Sequence, residues 1–189
     1  ITHGLTSYTC NLVYQDEPGA INEAFSDIFG ATVEYYAVPT LADWTIGEDI
    51  GYTMRDMSNP NGSSNPDTYQ GNYWHTDASD NGGVHTNMGV LSYWYYLIVD
   101  GDSGTNDNGD SYNITGIGLS DAADIAFRLQ TVYLTSTSEH DDARFYGIKA
   151  AEDFHGQCSF EVEQVTNAFY AVGLGQQYVP YALADFSAD

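Results

Sequence analysis

The sequence predicts a mainly α fold, a helical bundle with long loops. Apolar residues recur at helical spacing in several segments, and stretches rich in Gly, Asn, Asp and Pro separate them. No internal repeat is visible. With 189 residues, 42% apolar and 14% aromatic, the chain is long enough for a sizeable core and too apolar for intrinsic disorder.

Ile1-Thr2-His3-Gly4-Leu5 reads as the middle of a helix, with no cap ahead of it. A strong helix is expected from Gly19, its stripe formed by Ala20, Ile21, Ala24, Phe25, Ile28 and Phe29 and its end set by Pro39. Residues 43–49 are polar and acidic, a loop, and residues 58–72 form an irregular surface segment. Residues 84–99, heavy with Leu, Tyr and Trp, predict a second long helix, followed by a Gly/Asn/Asp loop over 100–112. A further helix starts at Ser120 as its cap and runs to about Leu134. Another covers 141–154 and closes at Gly156, and the last takes Ser159 as cap, 161–172 as body and Gly173 as stop. Residues 1–175 are expected to form one lobe, with 176–189 a tail or linker. Both ends read as cut, which suggests a piece of a larger secreted product.

Against 27 Asp and Glu stand only Arg55, Arg128, Arg144 and Lys149, a formal net charge of -23. Such a surface repels phosphate backbones and anionic headgroups, which argues against nucleic-acid and membrane partners. It suits calcium, cationic partners or a salty medium. The longest apolar run, near 90–99, falls short of the ~20 residues of a membrane span. Cys10 and Cys158 form either one bridge or two buried thiols.

Glu23 and Asp27 stand i, i+4 on one otherwise apolar helix face. A metal gives carboxylates there a reason, with Glu23 ligating beside His3 and Asp27 fixing the tautomer of His3. The plain alternative is structural, since a lone His near a helix Glu is common. Asp80-Asn81-Gly82-Gly83-Val84-His85 is either an N-cap with a nearby histidine or an Asp-oriented imidazole aimed at a developing oxyanion. Arg55, one of four cations, is expected to be tied to a specific carboxylate or carbonyl, a structural salt bridge being the equal alternative.

Together these segments resemble the thermolysin-like zinc metallopeptidases. Ile1-Thr2-His3-Gly4 looks like the end of a His-Glu-x-x-His helix without its first His and Glu. Residues 19–30, with Asn22-Glu23-Ala24-Phe25-Ser26-Asp27, match the family's third-ligand helix, and residues 80–89 match its catalytic histidine segment. The resemblance runs from Ile1 to about Gly173, including Ala143-Arg144 and the closing 167–173. It implies the carboxy-terminal helical lobe of a secreted, zinc- and calcium-dependent endopeptidase.

Position by position, the resemblance implies that His3 and Glu23 bind zinc and that Asp27 orients His3. Tyr14 and His85 would hydrogen-bond the scissile carbonyl oxygen, with Asp80 holding His85. Arg55 would contact the substrate carbonyl beside a pocket lined by Ile46, Ile50 and Met54, giving a preference for bulky apolar residues after the cut. Glu34, Asp43 and Glu48 fall on calcium positions, and Thr45 stands where relatives often have an acidic residue. The short stretch between Asp49 and Arg55 argues against an extra calcium site there, and the acidic loop 100–110 fails the EF-hand pattern. Its partners would be a peptide or protein substrate and the amino-terminal lobe of the same catalytic domain. With two zinc ligands where catalytic zinc takes three, the isolated chain is expected to bind zinc weakly and to be inactive. The competing reading is a calcium-stabilised binding or scaffold lobe from an inactive relative.

Overall fold

Helical spacing resolves into seven α-helices and two small antiparallel hairpins over residues 1–180, which the computed structural model describes. The short α1 (Thr2–Tyr8) turns into α2 (Asp16–Ala37). α2 starts ahead of the expected Gly19, because Pro18 is tolerated in a first turn whose N–H groups have no helical partner anyway. Asp16 and Glu17 complement the positive helix end. The helix stops just before Pro39, as expected, with Ala20, Ile21, Ala24, Phe25, Ile28 and Ala31 buried.

The segment expected as one long helix divides into α3 (Asp80–Asn87) and α4 (Gly89–Asp100), with Met88 keeping helical dihedrals between them. At the junction the Asn87 side chain grips the His75 backbone, accepting from its N–H at 2.8 Å and donating to its carbonyl at 3.1 Å. α4 is the centre of the core, with ten of its twelve residues buried. Trp94 stacks on Phe169 with ring centroids 4.6 Å apart, and Tyr95 donates to or accepts from Thr32 at 2.7 Å. Each such fully buried large side chain stabilises the fold by roughly 2–3 kcal/mol.

Two loops prove to contain strands. Residues 100–112 were expected to be a loop, but β3 (Gly101–Thr105) pairs antiparallel with β4 (Ser111–Thr115), from Gly101↔Thr115 to Thr105↔Ser111. β3 is Gly-Asp-Ser-Gly-Thr with no core side chain, and β4 turns only Tyr112 and Ile114 to the core, an alternation too short to announce a strand inside a Gly/Asn/Asp loop. Within 43–56 a minimal hairpin pairs Thr45–Ile46 with Arg55–Asp56.

α5 (Leu119–Arg128) is preceded by Gly118 rather than capped by Ser120, which lies inside it, and it runs into a π-turn over Leu129–Tyr133. α6 (His140–His155) begins with a capping box between Glu139 and Asp142 and stops at Gly156. α7 (Phe160–Ala171) is capped as expected, the Ser159 hydroxyl accepting from Val162 N–H at 3.2 Å. The chain beyond α7 is held by Arg144, which donates to the carbonyls of Leu174 and Gln176. Of the expected tail 176–189, residues 181–189 lie outside the described residues. Cys10 is buried and Cys158 exposed, and both are free thiols, so the two do not bridge. Among the described residues no helix is long and apolar enough to cross a membrane.

Candidate metal-centred active site

Three close approaches build the site. α1 lies against α2 and brings His3 over the face that carries Glu23. α3 packs on α2 at Gly19, where an added Cβ would stand 2.5 Å from Val84 Cγ1, so glycine lets the two backbones meet and places His85 beside Glu23. Ahead of Val84, residues Asp80, Asn81, Gly82 and Gly83 all take left-handed conformations. Gly83 is required there, since its φ is +82° and a Cβ would lie 2.5 Å from the His75 side chain. This turn curls Asp80 back onto His85, which it grips twice. Asp80 accepts from the His85 ring Nδ1 at 2.6 Å and from the His85 backbone N–H at 2.9 Å.

The buried carboxylate of Glu23 is the point of convergence. His3 Nε2 stands 3.4 Å from Glu23 Oε1, and His85 Nε2 stands 3.7 Å from the same oxygen. The Tyr14 hydroxyl donates to that oxygen and lies 3.0 Å from His85 Nε2. Both imidazoles are about half exposed, so the cluster opens to solvent on one side while Glu23 closes it on the other. Burial and the hydrogen bond to Glu23 push the Tyr14 phenol up. Burial acts to raise the Asp80 carboxyl, but the hydrogen bonds from His85 outweigh it and the net direction is down. Asp80 is therefore a firm acceptor that holds Nδ1–H and turns Nε2 toward the cluster.

Asp27 makes its hydrogen bonds to Arg55 and not to His3. Arg55 donates to both its oxygens, Nε to Oδ2 at 2.7 Å and the terminal nitrogen to Oδ1 at 2.8 Å, a bidentate pair with Asp27 buried and Arg55 only 18% exposed. His3 instead donates from Nδ1 to Asn22 Oδ1 at 2.9 Å, with the Ser26 hydroxyl 3.2 Å from the same nitrogen. Burial disfavours the Arg55 charge, but the Asp27 carboxylate outweighs that and holds the guanidinium above its usual range. Sequence spacing put Asp27 on the right face but could not choose between His3 and Arg55 as its partner. Asn22 and Ser26 were missed as partners of His3, although both lie within one turn of Glu23.

The residues expected to line a substrate pocket occupy the 45–56 hairpin. Ile46 packs against the core, whereas Ile50 is 79% exposed and Met54 is partly exposed. The crevice beside Asp27 and Arg55 is lined by Met57, Met88, Gly89 and Ser92 rather than by these three.

The expected metal ligands pass different tests. Ligand atoms around a tetrahedral zinc at about 2.0–2.1 Å stand about 3.3 Å apart, close to the 3.4 Å between His3 Nε2 and Glu23 Oε1. Nδ1 of His3 is occupied by Asn22, which leaves Nε2 as the ligating nitrogen. The donor pair therefore fits zinc, as two of the three protein ligands it takes. Among the calcium candidates, a buried oxygen of Glu48, Oε2, has no hydrogen-bond partner, which suits a cation. Asp43 Oδ1 accepts from the Thr45 N–H and hydroxyl, both at 2.7 Å. The carboxylates of Glu34, Asp43 and Glu48 do not gather within 4.8 Å of one another. Among the described residues that closeness is reached elsewhere, by Asp121, His155 and Glu161.

Comparison with known proteins identifies the family. The family model described as thermolysin metallopeptidase, alpha-helical domain, matches residues 10–174. The chain is 44% identical over 182 residues to a bacillolysin of Bacillus caldolyticus and to a thermolysin of Alicyclobacillus acidocaldarius subsp. acidocaldarius, covering 92% of this chain and 32% of each relative. A bacillolysin of Brevibacillus brevis is 39% identical over 180 residues, with the same two coverages. The chain thus spans about a third of the length of these relatives. Among solved structures, the precursor of protealysin, a metalloproteinase from Serratia proteamaculans, superposes with a TM-score of 0.72 at 25% identity, covering 92% of this chain and 55% of that one. The chain belongs to the thermolysin metallopeptidase family, as its α-helical domain.

Proposed function

We propose that this lobe is half of a secreted, zinc-dependent endopeptidase, and that it supplies metal ligands, proton donors and part of the substrate cleft. The observation that carries the reading is the convergence of His3, Tyr14 and His85 on the single buried carboxylate of Glu23. A generic helical domain has no use for two imidazoles and a phenol around one desolvated carboxylate.

His3 Nε2 and Glu23 hold zinc, with the third protein ligand coming from outside these 189 residues. When bound, zinc polarises a carbonyl and lowers the pKa of a coordinated water. Tyr14 and His85 face the same space and donate hydrogen bonds to a carbonyl oxygen as it becomes negative. Loss of one such donor costs roughly 10²–10³ in rate. Asp80 accepts from Nδ1–H of His85 and so aims Nε2 at the carbonyl, where it donates when the ring carries both protons. Asp27 holds Arg55 rigidly for contact with the peptide substrate. Ile50 and Met54, exposed and outside the crevice beside that pair, would have to fold over a bulky residue after the cut to wall it with Ile46. Calcium would bind at Glu48, satisfying its buried oxygen that lacks a partner, and would draw in Asp43 and Glu34, whose carboxylates stand apart without it.

The test is a quenched peptide with Phe after the scissile bond. The 189-residue chain alone leaves it intact. A longer polypeptide that places His-Glu directly ahead of Ile1 on an amino-terminal lobe cleaves it, loses activity to a zinc chelator, and loses at least about 10²-fold with His85→Ala. A folded, zinc-loaded long form without cleavage overturns the reading, as does metal-dependent cleavage by the short chain alone.

A further inference from the structure

Asp121, His155 and Glu161 come from three different helices: the first turn of α5, the last residue of α6 and the first turn of α7. One ligand atom from each lies within 4.8 Å of the other two, and none of these residues takes part in the cluster around Glu23. α6 packs on both α5 and α7, so the meeting point is set by the helix packing and not by one flexible loop.

The histidine gives the cluster its direction. His155 Nδ1 stands 3.8 Å from Glu161 Oε2, beyond the 2.7–3.2 Å of an N–H···O hydrogen bond. Nδ1 is therefore the nitrogen turned toward the carboxylate, while the buried Nε2, which has no hydrogen-bond partner, lies on the far side of the ring. The side chain is only 20% exposed, so water does little to compensate the ring. The 3.8 Å between His155 Nδ1 and Glu161 Oε2 is too long for a hydrogen bond and only slightly wider than the roughly 3.3–3.6 Å between donors that share a tetrahedral cation at about 2.0–2.2 Å, so small side-chain shifts would bring the ligand atoms onto one ion. His155 also ends α6, where the helix dipole favours positive charge, in a chain of formal net charge -23.

We infer that Asp121, His155 and Glu161 form a second metal site, specific for a first-row divalent transition ion such as Zn²⁺, that staples α5, α6 and α7 together. One imidazole with two carboxylates matches the ligand preference of zinc. Calcium takes six to eight oxygens and gains little from a ring nitrogen. The ion cross-links three helices, and its effect is on stability.

The test uses the 189-residue chain carrying His3→Gln and Glu23→Gln, which remove the donors of the first cluster. Zn²⁺ is titrated by calorimetry at pH 8, and melting is followed by circular dichroism. One equivalent binds, and at about 100-fold excess over its Kd the melting temperature rises by about 5 °C or more. The gain shrinks as the solution is acidified, because protons compete with the ion for its ligands. His155→Gln, and separately Glu161→Gln, each weaken Zn²⁺ binding by more than roughly tenfold. Both changes preserve polarity and size, and circular dichroism confirms folding before titration. Asp121→Asn serves as a third variant if either fails to fold. No Zn²⁺ binding in the two-substitution background overturns the inference. So does retention of the thermal gain in both ligand variants, or an equal gain from Ca²⁺.

Discussion

Replacing Asp27 by Asn is the sharpest probe of the site, because sequence and structure give that carboxylate different partners. In the fold both its oxygens accept from Arg55, at 2.7 and 2.8 Å, with Arg55 largely buried. Two unit charges about 4 Å apart at an effective dielectric near 20 attract by about 4 kcal/mol. Breaking such a pair from one side costs about 3–5 kcal/mol, since the remaining charge is stranded. Asp27→Asn and Arg55→Met should therefore each lower the urea-unfolding free energy by about 3–4 kcal/mol at pH 7, measured in EDTA. The double variant, which strands no charge, should lose far less than the sum, with a coupling energy of about 2–3 kcal/mol. A zinc titration adds a second readout. A carboxylate that oriented His3 would cost 10- to 100-fold in zinc affinity on removal. The pairing seen here predicts that Asp27→Asn and Arg55→Met affect zinc affinity alike. Additive stability losses, together with a zinc defect confined to Asp27→Asn, would refute the reasoning.

Two further outcomes follow from named contacts. Glu17, in the first turn of α2, accepts from the ring Nδ1 of the buried His140 at 2.9 Å, from its backbone N–H at 3.0 Å and from the Tyr69 hydroxyl at 2.8 Å. Burial alone would raise this carboxyl, but these donors draw it from an ordinary 4.5 down to about 2. A depressed carboxylate stabilises the fold above its unfolded value and loses that contribution as pH falls through the folded one, here between about 4.5 and 2. The size is about 3 kcal/mol. Glu17→Gln should cost about that much at pH 6, and the gap to the parent chain should close toward pH 2 in urea melts; a gap that does not change with pH would contradict the assignment. The thiols separate by exposure, because Cys158 is exposed whereas Cys10 is buried and its thiol is pushed up by desolvation. A disulfide reagent should titrate one thiol rapidly in the native chain and the second only in denaturant, and finding none in denaturant would mean a bridge.

Legibility followed the range of the interaction. The face of α2 could be read directly, because i, i+4 spacing places Glu23 and Asp27 together whatever surrounds them. The Ser159 cap and the Gly156 stop were equally local. The β3–β4 hairpin escaped because β3 carries no core residue and β4 only Tyr112 and Ile114, too short an alternation to read as a strand. α5 began before its apparent cap because Gly118 ends the preceding turn and the helix enters directly at Leu119.

The sequence by itself determined the fold class, the family and the donors of the site, since helical periodicity and residue chemistry are written within a few positions of one another. Only the tertiary structure decided which of those groups meet. Gly19 against Val84, the left-handed turn at 80–83, Asp27 on Arg55 and the junction of Asp121, His155 and Glu161 all depend on helix faces packing across long sequence separations. A local pattern states that a carboxylate is buried. Close packing of the core selects the cation it faces.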